Sequence, residues 1–123
     1  MNFEEYAQLD GIELADRIRC GEVTAAHVLR ACLDGLEHVN PKLNAVVSRF
    51  TDRIERAVEQ TSPRADGPLA GVPMLLKDTL LLRDTVVTYG SVICRDFVSP
   101  RTHPVAERLE SAGLPLIGRT NMC

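Results

Sequence analysis

Residues 67–78 run Gly67-Pro68-Leu69-Ala70-Gly71-Val72-Pro73-Met74-Leu75-Leu76-Lys77-Asp78, the densest apolar stretch of the chain, and it ends in a lysine. Val72–Leu76 is short, apolar without interruption, and bounded by glycine and proline before it and by charge after it. That pattern predicts a buried strand of a parallel sheet whose two faces are covered by helices. Pro73 has no N–H to donate, so it belongs at the first paired residue or on an edge. Side chains alternate along a strand, which puts Pro73, Leu75 and Lys77 on one face and Asp78 on the other. Asp78 is therefore not the expected ion-pair partner of Lys77.

A lysine at the carboxyl end of a buried strand lies where open α/β sheets bind their ligands. Burial would disfavour the ammonium and make a neutral amine available as a base. The alternative is a lysine that only marks the strand's end and snorkels to water.

The stretch before the strand reads as helices. Residues 3–20 are expected to be helical, with Asp10 and Glu13 spaced as a capping box, Ile12, Leu14, Ala15 and Ile18 on the apolar face, and Gly21 as the stop. Thr24 is a candidate N-cap for a second helix, with Val28, Leu29, Cys32, Leu33 and Leu36 at helical spacing and Asn40-Pro41 as its end. His27 and His38 are expected at the surface. Leu43–Val47 is a short extended or loop segment. A third helix is expected from about Thr51 to Gln60, with Ile54, Ala57 and Val58 inward, and residues 61–68 form a loop by composition.

After the strand, residues 79–87 carry Leu80, Leu81, Leu82, Val86 and Val87, too apolar for an exposed loop unless something outside the chain covers it. Thr102 or His103 can start the next helix, with Pro104 in its first turn, Val105, Ala106, Leu109 and Ala112 inward, and Gly113 at its end. Leu114–Gly118 is then a strand. Strand, helix and strand make a βαβ unit, for which a right-handed crossover is the rule.

Charge and cysteines narrow the function classes. The net charge is −3 with acids and bases interspersed, so no basic surface for nucleic acid is expected. No apolar run is long enough to span a bilayer, and the acidic start Met-Asn-Phe-Glu-Glu lacks the features of a signal peptide, so no membrane contact and a cytoplasmic location are expected. Cys20, Cys32, Cys94 and Cys123 lack any C-x-x-C spacing and are expected to be reduced thiols, Cys32 as a small core residue. Neither these nor His27, His38 and His103 show metal-ligand spacing, so no metal and no cofactor are expected.

The segment from Gly67 to Asp78 closely resembles the lysine-bearing segment of the amidase signature family. Other stretches follow the same order: the Gly21-Glu22-Val23-Thr24 turn, Asn40-Pro41-Lys42-Leu43-Asn44-Ala45, Thr88-Tyr89-Gly90-Ser91, and Gly118-Arg119-Thr120-Asn121-Met122. Arg119 stands where the family more often has lysine, and Thr79 where asparagine is commoner. The resemblance spans about Asp10 to Met122. It implies an α/β fold in which N-terminal helices lead into a βαβ unit, the first part of the family's α/β/α architecture. It makes residues 1–123 an incomplete, N-terminal portion of an amidase domain.

The family acts at amide carbon–nitrogen bonds through a serine, a cis-serine and a lysine. The resemblance assigns Lys77 to the catalytic lysine and places both serines in a Gly/Ser-rich segment beyond Cys123. None of Ser48, Ser62, Ser91, Ser99 and Ser111 sits in such a segment. The implied substrate is a small-molecule amide, with hydrolysis and ammonia delivery to a partner both open. The implied partner is the C-terminal part of the same domain or another protomer of an oligomer. This chain alone is expected to be inactive. The alternatives are a non-catalytic remnant or interaction module that keeps the first part of the fold, and, from the lysine's chemistry alone, a Schiff-base enzyme.

Overall fold

A computed structural model describes residues 1–59 and 67–122. The chain opens with helices α1 (Phe3–Ala7) and α2 (Gly11–Arg19), not with one continuous helix. Asp10 divides them. It takes an extended conformation to cap α2, accepting from the N–H groups of Ile12 and Glu13 at 2.8 and 2.9 Å, while Glu13 reaches back to the Asp10 N–H at 3.0 Å. Leu14, Ala15 and Ile18 are buried as expected, but Ile12 is 54% exposed. Six residues separate Ile12 from Ile18, which puts them about a third of a turn apart around the helix.

Helix α3 (Ala25–Leu43) starts at Thr24, whose hydroxyl accepts from the His27 N–H. It does not stop at Asn40-Pro41. Proline falls in the last turn, where the missing N–H costs only one intrahelical bond. Asn40 instead fastens the chain after the helix, bonding both the N–H and the C=O of Val46 at 2.8 and 2.9 Å. Asn44, left-handed at φ 46°, ends the helix. His27 and His38 are exposed. Helix α1 lies on α3 at Gly35, where a Cβ would come within 2.5 Å of the Phe3 ring.

The segment after α3 forms strand β1 (Val46–Arg49), which begins later than the extended segment expected from Leu43. Helix α4 (Thr51–Glu59) follows, with Ile54, Ala57 and Val58 half-buried. The expected end of this helix at Gln60 and the loop residues 61–66 lie outside the described residues, as does Cys123.

Strand β2 (Met74–Lys77), helix α5 (Pro104–Ser111) and strand β3 (Leu116–Thr120) make the expected βαβ unit, with β2 and β3 parallel. Both strands start two residues later than the apolar runs suggest. Val72 is buried against α2 and α3 instead of pairing; the Gly71 N–H bonds the Gly113 C=O just before it, and the next bond between the segments is from the Met74 N–H to the Pro115 C=O. His103 caps α5 through its ring nitrogen. Ala106 is fully buried, whereas Val105, next to it on the helix, is 43% exposed.

Strand β1 pairs antiparallel with the other side of β3, so the sheet is mixed, in the order β1-β3-β2. Gly118 permits this pairing: a Cβ there would lie 2.4 Å from the Ser48 carbonyl oxygen.

Two apolar clusters hold these layers. One joins α2, α3 and Val72 through Leu14, Ala15, Ile18, Ala25 and Val28. The other joins Phe50, Leu76, Leu82, Ala106 and Leu116 around the sheet. Leu82 and Val87 are wholly buried, so residues 79–87 are covered mainly by the chain itself. Val86 is 36% exposed, and a group of more exposed apolar residues lies further on, at Val92, Ile93, Phe97 and Val98. Among the described residues, no helix is long and apolar enough to cross a membrane.

Candidate active site

Lys77 is the last residue of β2 and sits in register with Thr120 at the end of β3. The alternation expected from the sequence holds: Leu76 and Asp78 are buried and Lys77 is exposed. The burial expected for Lys77 is therefore not supplied by these residues. Its side chain projects from the carboxyl edge of the sheet, free of the Asp78 carboxylate, which is turned the other way.

Asp78 is committed elsewhere. Its carboxylate accepts from the Thr88 N–H at 3.1 and 3.2 Å and from the Thr88 hydroxyl, and its Oδ1 lies 3.7 Å from Nε of Arg119. Both side chains of this ion pair are 1% exposed. Arg119 also donates through Nη1 to the Leu80 carbonyl at 2.6 Å and through Nη2 to Oγ1 of Thr85 at 2.8 Å, and its guanidinium lies 5.4 Å from the Phe50 ring centre. Nε makes no hydrogen bond among the described residues. Burial pushes the guanidinium below its ordinary pKa, and the Asp78 charge pulls it back up.

One buried arginine thus ties β3 to the loop that follows the lysine. A lysine at 119 would carry its donors on one nitrogen, whereas the arginine reaches Leu80 and Thr85 from two separate ones. Sequence reasoning sees Arg119 only as a departure from a family pattern. The signal it misses is a guanidinium inside an apolar strand, with one acid at the end of the neighbouring strand.

The Thr88–Ser91 turn completes the arrangement. Ser91 N–H bonds the Thr88 carbonyl at 2.8 Å, and Tyr89 and Gly90 both have positive φ, 52° and 68°. A non-glycine residue held left-handed costs about 1–2 kcal/mol. Here Thr88, pinned to Asp78, fixes the turn's entrance. Met122 closes the other side, since a Cβ on Gly90 would meet the Met122 Cβ at 3.0 Å.

Lys77-Asp78, Thr88–Ser91 and Arg119–Met122 therefore meet at one end of the sheet. They border a cleft of about 280 Å³ whose walls include Ser48, Asp78, Thr88, Gly90, Arg95 and Asn121. Lys77 stands beside this cleft and is not among its walls. Of the other serines, Ser99 is wholly buried and donates to the Arg101 carbonyl, and Ser91 caps the short 3₁₀ turn Val92–Cys94. Among the described residues, no group of three or more His, Cys, Asp or Glu side chains could hold a metal ion.

Comparison with known proteins decides the family. The family described as Amidase matches residues 27–123. The chain belongs to the amidase signature family. It is 34% identical over 125 residues to a glutamyl-tRNA(Gln) amidotransferase subunit from Mycolicibacterium vanbaalenii, a match covering 94% of this chain and 25% of the relative. Among solved structures it resembles a peptide amidase bound to the competitive inhibitor chymostatin, with a TM-score of 0.84 and 30% identity, over 96% of this chain and 26% of that one. A 6-aminohexanoate cyclic dimer hydrolase with bound substrate gives a TM-score of 0.81 and 30% identity, over 92% and 23%. The chain thus spans about a quarter of the length of the relatives it matches. The α/β fold with a βαβ unit expected from the sequence is the fold it shares with them.

Proposed function

We propose that this chain supplies Lys77 as the proton acceptor of a serine, cis-serine, lysine triad that breaks an amide carbon–nitrogen bond. Residues 1–123 are the N-terminal portion of the amidase domain that carries the triad. The observation that supports this reading is the meeting of the three family-like segments at the carboxyl end of β2 and β3, with Lys77 in register with Thr120. Ligands of open α/β sheets bind at that edge.

In this mechanism the serine oxygen attacks the amide carbonyl carbon. Its proton passes through the cis-serine to the neutral Lys77 amine. The ammonium so formed returns the proton to the leaving nitrogen as the carbon–nitrogen bond breaks, and water then releases the acyl group by the same proton path. Lys77 accepts a proton only as the neutral amine, which burial favours. The remainder of the domain has to cover it as well as bring the serines. The relatives' names, a peptide amidase, a cyclic dimer hydrolase and an amidotransferase component, support an amide as the substrate class. The reading includes both free hydrolysis and passage of ammonia to a partner.

The 123-residue chain by itself should not turn over simple aliphatic or aromatic amides. Turnover above that of a Lys77→Ala control would mean that a nucleophile is present within these residues, with Ser48 in the cleft wall the first to examine.

A further inference from the structure

The chain turns as soon as β2 ends. The Leu80 N–H donates to the Lys77 carbonyl at 3.0 Å, so Lys77 is both the last paired residue of the strand and the first residue of a turn. Strand β3 holds that turn from the side. Arg119 donates through Nη1 to the Leu80 carbonyl at 2.6 Å and through Nη2 to Oγ1 of Thr85 at 2.8 Å. The Thr85 hydroxyl is itself anchored, donating to the Leu82 carbonyl at 2.7 Å. Asp78, the charged partner, stands farther off, 3.7 Å from an Nε that makes no hydrogen bond among the described residues. The direct bonds of the guanidinium therefore go to the loop. An arginine placed only to neutralise a carboxylate turns its two-pronged edge toward it.

The register of the sheet excludes direct contact with the lysine amine through the paired face. Arg119 pairs with Leu76, and Thr120 with Lys77. Side chains of paired residues share a face, so Arg119 lies with buried Leu76 and Asp78, opposite Lys77. Arg119 acts on Lys77 through the backbone of residues 77–80. Its own place is fixed, with the side chain 1% exposed and the guanidinium 5.4 Å from the Phe50 ring centre. The exposed Lys77 side chain has no such packing, so where its amine stands depends on where the turn sets its Cα.

We propose that Arg119 is a positioning residue for Lys77: by holding Leu80 and Thr85 it fixes the turn that carries the proton acceptor. The role rests on the reading of Lys77 as the base. Proton transfer needs its partners within about 2.6–3.2 Å, and a displacement of about 1 Å costs on the order of a hundredfold in rate. A loosened turn therefore slows the proton transfer and leaves substrate binding alone.

Thr85→Val tests this without stranding a charge, since it removes one acceptor of the guanidinium and keeps Arg119, Asp78 and the shape of the side chain. In the 123-residue chain, hydrogen exchange at the Leu80 amide should quicken by about tenfold or more, while the amides that pair β2 with β3 hold. In the enzyme made by joining this chain to the remainder of an amidase relative, kcat should fall by about ten- to a hundredfold, with KM within about twofold of wild type. Thr85→Ser keeps the hydroxyl and should return both exchange and kcat to within about threefold. Unchanged exchange at Leu80 would overturn the proposal whether or not the joined enzyme is active. So would a Thr85→Val enzyme that keeps its kcat while Lys77→Ala loses it, a loss that Thr85→Ser does not repair, or a loss that vanishes at temperatures where the variant is fully folded. A Lys77→Ala enzyme as active as wild type would remove the base itself, and the positioning role with it.

Discussion

Replacing Asp78 by alanine tests whether the buried ion pair organises the site. Asp78 and Arg119 lie 3.7 Å apart, and both side chains are 1% exposed. Two unit charges near 4 Å attract by about 4 kcal/mol at an effective dielectric near 20. That attraction offsets a desolvation penalty of several kcal/mol for each ion, so the intact pair contributes little net stability while its halves are costly alone. Asp78→Ala leaves the guanidinium buried with only Leu80 and Thr85 to accept from it, and removes the acceptor of the Thr88 N–H and hydroxyl. The expected loss is about 3–5 kcal/mol, against a total of roughly 6–18 kcal/mol for a chain of this size. Adding Arg119→Met removes the stranded charge, so the double variant should be more stable than the sum of the single losses by about 2 kcal/mol. Urea unfolding of the isolated chain and its variants, closed as a double-mutant cycle, gives both numbers. A loss under about 1 kcal/mol for Asp78→Ala, or losses that add to within about 0.5 kcal/mol, would mean that water reaches the pair and that it does not set the loop.

Gly118→Ala should cost about 2 kcal/mol or more in the same assay, since its Cβ would collide with the Ser48 carbonyl and part β1 from β3; hydrogen exchange should then rise first in Val46–Arg49. Lys77→Ala should change the isolated chain's stability by no more than about 0.5 kcal/mol, because the side chain is exposed. Burial pushes the Cys32 thiol up, against the opposing effect of its hydrogen bond with Tyr6, and burial raises the Tyr6 phenol too. Groups whose pKa is raised on folding give stability that is complete below the unfolded value and is lost as pH rises through the folded one. Melting points should therefore fall above about pH 8.5, and less steeply in Cys32→Ala. Alkylation should reach exposed Cys20 before Cys32; equal rates would contradict the burial.

The parts of the fold that could be read in the sequence are those fixed by local chemistry. Asp10 with Glu13, Thr24, and His103 before Pro104 start helices because each side chain satisfies N–H groups within three residues. The βαβ unit was legible from its two apolar runs. Its exact pairing was not, because the Pro115 carbonyl and the burial of Val72 decide where the strands begin. Pro41 misled because the cost of a proline depends on its place in the helix, and that place was set by Asn40 and Asn44 together. Strand β1 pairs with residues some seventy positions away, and its four residues carry no register of their own. Lys77 could be placed at a strand end from alternation alone. Its exposure could not, nor could the cover of residues 79–87, because Leu82 finds its neighbours in Phe50 and Ala106, which only the fold brings near.

The most direct test of the catalytic reading joins this chain to the remainder of an amidase relative and compares Lys77→Arg with wild type under single-turnover conditions. Arginine keeps the positive charge and similar reach, but its guanidinium cannot give up a proton in a protein and so cannot accept one from the cis-serine. Acylation should fall by about two to four orders of magnitude, nearly as far as in Lys77→Ala, with the fold intact by circular dichroism. A Lys77→Arg enzyme that acylates within about tenfold of wild type, well short of a general-base loss, would contradict the assignment of Lys77 as the base.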